Sequence, residues 1–278
     1  MHEIDLKQYN IRTDMIIDGK NDNIHDHQKI NITRENNDKE VYITISFKDI
    51  TDKNNYKNVL AKTISELEYI MKYEQIKSAN SCLVVGLGNI NSTPDSLGPK
   101  VLEKVLVTKH LFNLGEVEKG YREVAILTPG VTGVTGIETY DTVTAIINKI
   151  KPKFIIVVDS LASSNINHLN RIIQISNCRI SPGSGIGNKR KTIDEKNIKT
   201  PLIIIGVPTV VDEVTIVYDT IKYMNINVSK NEINDVLLPI NYNLMVTPKD
   251  IDYQIEKLSL LIAEAINKVL HARYKSTK

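Results

Sequence analysis

Short apolar runs rich in valine and isoleucine, each cut off by glycine, proline, aspartate or serine, recur along the 278-residue chain: SCLVVGLG (81–88), EVAILTP (123–129), FIIVVDS (154–160), RIIQIS (171–176) and PLIIIGVP (201–208). Runs this short, without polar alternation, suit strands covered on both faces, as in a parallel sheet. Between them lie stretches with helical spacing, GPKVLEKVLVTKHL (98–111), IETYDTVTAIINKI (137–150) and VVDEVTIVYDTIKYM (210–224). That alternation predicts an α/β fold, a three-layer α/β/α sandwich with a mostly parallel sheet.

Upstream, VYITISF (41–47) alternates as a strand does, and NVLAKTISELEYIMKYE (58–74) has the helical period. Residues 18–40 are polar and keep neither period, so they read as loop. A final helix is expected over 250–274, entered through Pro248. No repeat and no linker divides the chain, which points to one domain. The balance of 35 basic against 33 acidic residues, a net +2, gives no reason to expect direct nucleic-acid binding or an acidic membrane as partner. Cys82 and Cys178 each sit in or after an apolar run and read as buried thiols in a reducing compartment. No apolar stretch approaches the ~20 residues of a membrane span, and MHEIDLKQYN has no signal-peptide core, so a cytoplasmic protein is expected.

Ligands of open α/β sheets bind outside the carboxyl ends of the strands. Three polar loops start there: GLGNINSTPDSLGP (86–99), TPGVTGVTGIET (128–139) and DSLASS (159–164). The first carries Asp95 and the third begins with Asp159. A charged carboxylate at the end of an apolar strand is costly unless it has a partner or a task. Structurally, Asp95 could cap the helix after Pro94, and Asp159 could cap a helix or bind backbone amides. Facing one cleft, the two would instead repel, share a proton and divide acid and base roles.

The motifs GLGNINSTPDSLGP, TPGVTGVTGIET, VDSLAS, IQISNCRISPGSGIGNKRK, IGVPTVVDEVTI and LMVTPKDID stand in the order found in the germination protease of spore-forming Firmicutes. The opening IDLKQYNIRTD (4–14) resembles that family's LDLxxYxxRTD. The similarity spans nearly the whole chain, except that the region between Met224 and Leu238 is much shorter than in Bacillus members. The resemblance implies a fold like that of the hydrogenase maturation proteases. It also implies a homotetrameric endopeptidase without cofactor, made as a self-processing zymogen, that degrades small acid-soluble spore proteins during germination. Its setting would be the forespore and spore core. Carried over by motif, the atypical aspartic pair is Asp95 and Asp159. The family cuts after an acidic residue preceded by Thr or Phe and followed by an apolar one. Thr13-Asp14-Met15-Ile16 fits, which implies a propeptide of residues 1–14, cleavage between Asp14 and Met15, and a peptidase domain over 15–278.

Rival chemistries have weaker motifs. PGSG (182–185) lacks the first glycine of a G-x-S-x-G elbow, and no H-E-x-x-H occurs. A metal-assisted, maturation-type version of the Asp95–Asp159 site stays open, although two carboxylates alone hold zinc poorly. SGIGNKRK (184–191) matches no phosphate-loop pattern and reads as a basic surface loop whose Lys189, Arg190 and Lys191 could attract acidic substrate side chains. GLGN after a strand could cradle a phosphate, which makes a nucleotide-binding or nucleosidase-like protein the alternative.

Overall fold

Strand β3 (Cys82–Gly86) is buried along its whole length, and its neighbours explain why. A computed structural model describes residues 30–37, 39–180, 191–225 and 244–275. In it β3 pairs in parallel with β4 (Val124–Leu127) on one side and β5 (Phe154–Ser163) on the other. Beyond β5 lies β9 (Leu202–Asp212), also parallel. These four strands are four of the five Val- and Ile-rich runs of the sequence. The sheet continues through β6 (Ile172–Ser176), β2 (Glu40–Ser46) and β1 (Asn31–Asn37), in the order β1-β2-β6-β9-β5-β3-β4. Strand β10 (Met245–Val246) pairs with the far end of β9. A separate ribbon joins β7 (Arg179–Ile180) and β8 (Ile193–Asp194).

One face of the sheet is covered by α1 (Lys53–Tyr73), α2 (Leu97–Leu102) and the long C-terminal helix Ile251–Leu270. Helix α1 buries Val59, Leu60, Leu67, Ile70 and Met71 against Ile43, Ile45, Ile173 and Ile175, the three- and four-residue spacing that makes one apolar face. Smaller helices follow: α3 (Lys109–Leu114), the single turn α4 (Thr132–Thr135) and α5 (Thr139–Ile150). Helix α5 packs Val143 and Ile147 on the opposite face, over Leu83, Val85, Ile155 and Val157. The remaining helices are α6 (Glu195–Ile198), α7 (Glu213–Tyr223) and the C-terminal one, numbered α8. Three layers result, as the alternation of runs predicts. No described helix is long and apolar enough to cross a membrane.

Three expectations need correction. The stretch read as loop ends in strand β1, whose register with β2 runs from Asn31↔Ser46 to Asn37↔Glu40. As an edge strand it shows polar side chains to solvent, so it carries no apolar period, and Arg34 pins it to α1 by two bonds of 2.6 and 2.7 Å to buried Glu66. The helix expected over 98–111 is split into α2 and α3. Its middle is drawn off into tertiary bonds: Leu106 N–H donates to Asn267 Oδ1 and Thr108 N–H to the Val124 carbonyl. Strand β6 runs antiparallel to β9 because only a short turn separates it from β5, too few residues for a parallel crossover.

His271 closes the amino edge of the sheet. It is buried, its Nδ1 accepts the Arg122 N–H at 3.2 Å, and Nε2 therefore carries the proton toward the Leu106 carbonyl at 3.3 Å. Burial holds its pKa below the ordinary value, and the Arg122 charge adds to this against the opposing Leu106 carbonyl. The unfolded chain takes up this proton as pH falls through ~6.5 while the folded chain resists it, so the stabilisation is whole above that pH and is lost below it. The melting temperature is expected to fall from pH 7 to pH 5, and His271→Gln to flatten that slope; an unchanged slope in the variant would contradict the assignment.

Candidate active site

Strand order sets the location of the cleft. From β3 the chain travels outward to β4, whereas from β5 it crosses to β6 and β9 on the other side. The loops leaving the carboxyl ends of β3 and β5 therefore part in opposite directions and leave a crevice between them. Asp95 lies in the loop after β3. Asp159 is the first residue of β5 beyond the last β3 pairing, Gly86↔Val158, and so stands where the two strands part.

The Asp95 loop is folded back on its own backbone. A 3-10 turn, Thr93–Asp95, closes it, with Asp95 N–H donating to the Ser92 carbonyl at 2.8 Å. Asn89 N–H donates to both the carbonyl and Oδ2 of Asp95, each at 2.9 Å. Gly88, at φ +113°, makes room: a Cβ there would stand 1.9 Å from the Asp95 carbonyl oxygen. Two further glycines let the following helix touch the sheet backbone. A Cβ on Gly98 would meet the Leu87 and Val158 carbonyl oxygens at 2.3 and 2.6 Å, and one on Gly86 would meet the Gly98 carbonyl at 2.5 Å. The 3-10 turn consequently packs against β5, the strand that bears Asp159, as well as β9 and α8.

Asp159 is only 6% exposed, and its Oδ1 accepts the Ser160 N–H at 2.9 Å. Neither carboxylate caps a helix. Strand β5 runs on past Asp159 to Ser163, and the N-cap of α2 is Ser96, without a side-chain cap bond. The capping readings of both residues are thereby set aside, although each acid does accept a backbone amide. Across the strand pair, Asp159 faces Gly206.

Other candidate groups lie elsewhere or differ in character. His271 closes the opposite edge, and His168 sits in the turn after β5, 3.2 Å from the Asn165 amide nitrogen. Both cysteines are buried, and burial pushes both thiols up, which disfavours a thiolate nucleophile. Among the described residues, no three His, Cys, Asp or Glu side chains converge as a metal-holding group. Lys191 pairs with Asp141 at 3.0 Å beside the Tyr140 ring. Asp14, Met15, Lys189 and Arg190 lie outside the described residues.

The germination protease family profile matches residues 4–232 and 227–278. The chain belongs to that family. Among curated germination proteases, that of Oceanobacillus iheyensis is 43% identical over 77% of this chain and 72% of its own length. That of Clostridium tetani is 39% identical over 86% and 83%, respectively. That of Priestia megaterium is 34% identical over 97% of this chain and 96% of its own, through an alignment of 354 positions, so the relative carries insertions. The two profile segments meet inside the stretch where the sequence reading places the missing family segment. A solved [NiFe] hydrogenase maturation protease HycI from Thermococcus kodakarensis is 16% identical over 67% of this chain and 92% of its own, with a TM-score of 0.32. As a germination protease the chain is a peptidase and a hydrolase.

The sequence reading passed over the glycines that hold the site, although G-x-G followed by L-G-P carried the signal. Gly98→Ala would force a methyl into strand backbone, at a cost of about 2–3 kcal/mol. It is expected to lower the melting temperature by ~5–10 °C in a chain of this size. Gly88→Ala is expected to cut peptidase activity further than it cuts stability, because it displaces Asp95 itself. Calorimetry alongside an activity assay checks both, and wild-type behaviour of either variant would contradict the packing described.

Proposed function

We propose that this germination protease is an atypical aspartic endopeptidase in which Asp95 and Asp159 act as one acid–base pair on small acid-soluble spore proteins in the germinating spore. One observation supports the reading: Asp95, in the loop after β3, and Asp159, the first residue of β5 beyond its last pairing with β3, both lie at the carboxyl end of β3. One takes a proton from water as its oxygen adds to the peptide carbonyl carbon, and the other protonates the departing amine. Such a pair titrates as a unit, so base and acid are roles within it rather than fixed properties of either residue. The family resemblance supports a homotetramer confined to the forespore and spore core.

The phosphate-cradle alternative is disfavoured by the loop itself. The concavity at Gly88 is filled by Asp95, and the Asn89 N–H is already given to it. A carboxylate thus lies where a phosphate would have to sit. Calorimetric titration with nucleotides is the discriminating measurement, and no heat of binding is expected.

Asp95→Asn and Asp159→Asn are each expected to fold normally and to lose ~100- to 10,000-fold in peptidase activity. Retention of activity within a few-fold would remove that residue from the mechanism. Activity is expected to survive strong chelation; full loss with EDTA and recovery with one divalent ion would favour the maturation-type, metal-assisted site.

The zymogen reading rests on the match of Thr13-Asp14-Met15-Ile16 to the family's cleavage pattern. A tethered segment that resembles substrate occupies the cleft at high effective concentration until it is cut. Intact-mass measurement at mildly acidic pH is expected to reveal a new N-terminus at Met15. An unchanged chain, or cleavage that persists in Asp95→Asn, would contradict self-processing.

A further inference from the structure

Buried polar atoms without a partner occur in three places among the described residues: at Arg122, on α7, and on one part of the sheet. Among the described residues, Thr44 Oγ1, Ser160 Oγ, both side-chain polar atoms of Asn170, Gln174 Nε2 and Thr209 Oγ1 are all in this condition. They belong to β2, β5, β6, β9 and the turn before β6, the elements on the β9 side of Asp159. Native interiors leave few such atoms, and each calls for an explanation, a bound polar group among them.

Gln174 is the informative member. Register places Thr44, Gln174, Gly206 and Asp159 opposite one another on the successive strands β2, β6, β9 and β5. Directly opposed residues share a face of the sheet, so Gln174 and Asp159 lie on one face with only a glycine between them. Two strand spacings, about 10 Å, separate their Cα atoms. Gln174 is 8% exposed, and its amide donor has no acceptor. The space over Gly206 is held by a flexible side chain: Leu161 Cδ1 lies 2.4 Å from where a Cβ at Gly206 would stand. Leu161 and Ile172 make that surround apolar.

We propose that Gln174 is a catalytic residue whose Nε2–H donates to the carbonyl oxygen of the scissile peptide, held over Gly206 beside Asp159 after Leu161 swings aside. The assignment rests on the reading of Asp159 as a member of the carboxylate pair. When the water oxygen bonds to the carbonyl carbon, the π pair moves onto the carbonyl oxygen, and one carboxylate takes the water proton. When the C–N bond breaks, its electrons go to nitrogen, which takes a proton from the other acid. The amide nitrogen of Gln174 is a pure donor, suited to the oxygen that carries the negative charge between those steps, and an apolar surround strengthens the bond.

The decisive variant is Gln174→Met, which keeps the volume and deletes the donor. Full-length protein is assayed on a peptide spanning a cleavage site mapped in a digested small acid-soluble spore protein. The expected result is a melting temperature equal to or above that of the parent, a kcat lower by ~100-fold or more, and a KM within a few-fold. A purely structural glutamine would lower stability and kcat together, and that outcome, or a kcat within threefold of the parent, overturns the proposal. Asp159→Asn in the same assay separates the two readings. If it stays active, the carboxylate assignment fails; if it is inactive while Gln174→Met is active, the Gln174 assignment alone fails.

Discussion

The backbone-to-backbone contact between the first turn of α2 and the ends of β3 and β5 is the constraint from which the site follows. Gly86 and Gly98 contribute no side chains there, and Leu87 N–H reaches the Val158 carbonyl at 2.9 Å. This contact ties the loop after β3 to the strand that carries Asp159. With a methyl group on either glycine, α2 would ride higher, the 3-10 turn would leave β5, and Asp95 would lose its position. A buried carboxylate such as Asp159 is costly to hold charged. Placing it where β5 parts from β3, with the Ser160 N–H donated to it, lowers that cost.

The same economy shows at Thr44 and Gln174, whose Oγ1 and Nε2 are buried without a partner on the strands that lead to Asp159. Each buried, unpartnered polar group costs on the order of 1–3 kcal/mol. A sheet that elsewhere fills this layer with Ile, Val and Leu could have used apolar residues here too. Retaining donors without acceptors fits a surface that is completed by a bound chain, and stability given up at such a site is a common feature of enzymes.

Much of this was legible in the sequence for a definable reason. Parallel strands buried on both faces leave continuous Val/Ile runs, so β3, β4, β5 and β9 could be marked, and the loops at their carboxyl ends followed from α/β geometry. Asp95 and Asp159 stood out because acids at the ends of apolar strands need an explanation, and the family resemblance then implied roles for them. What escaped notice was whatever depended on partners distant in sequence. Strand β1 is polar and exists because β2 lends it a hydrogen-bonding edge and Glu66 anchors Arg34. The break between α2 and α3 is set by Asn267 and Val124, far along the chain. Gln174 sits unremarked in IIQIS, although one amide inside an otherwise apolar strand was a visible sign; only the register with Gly206 and Asp159 gives it meaning.

The central claim is that Asp95 and Asp159 form one functional unit across the crevice, and a double-mutant cycle on kcat tests it most directly. The two single Asn variants and the double variant are compared with the parent on one peptide substrate. Groups that share a proton and a single reaction cycle are strongly non-additive, so the double variant should be about as slow as the slower single variant. If the logarithmic losses instead add, the two acids act independently, and the account of a shared carboxylate pair is wrong.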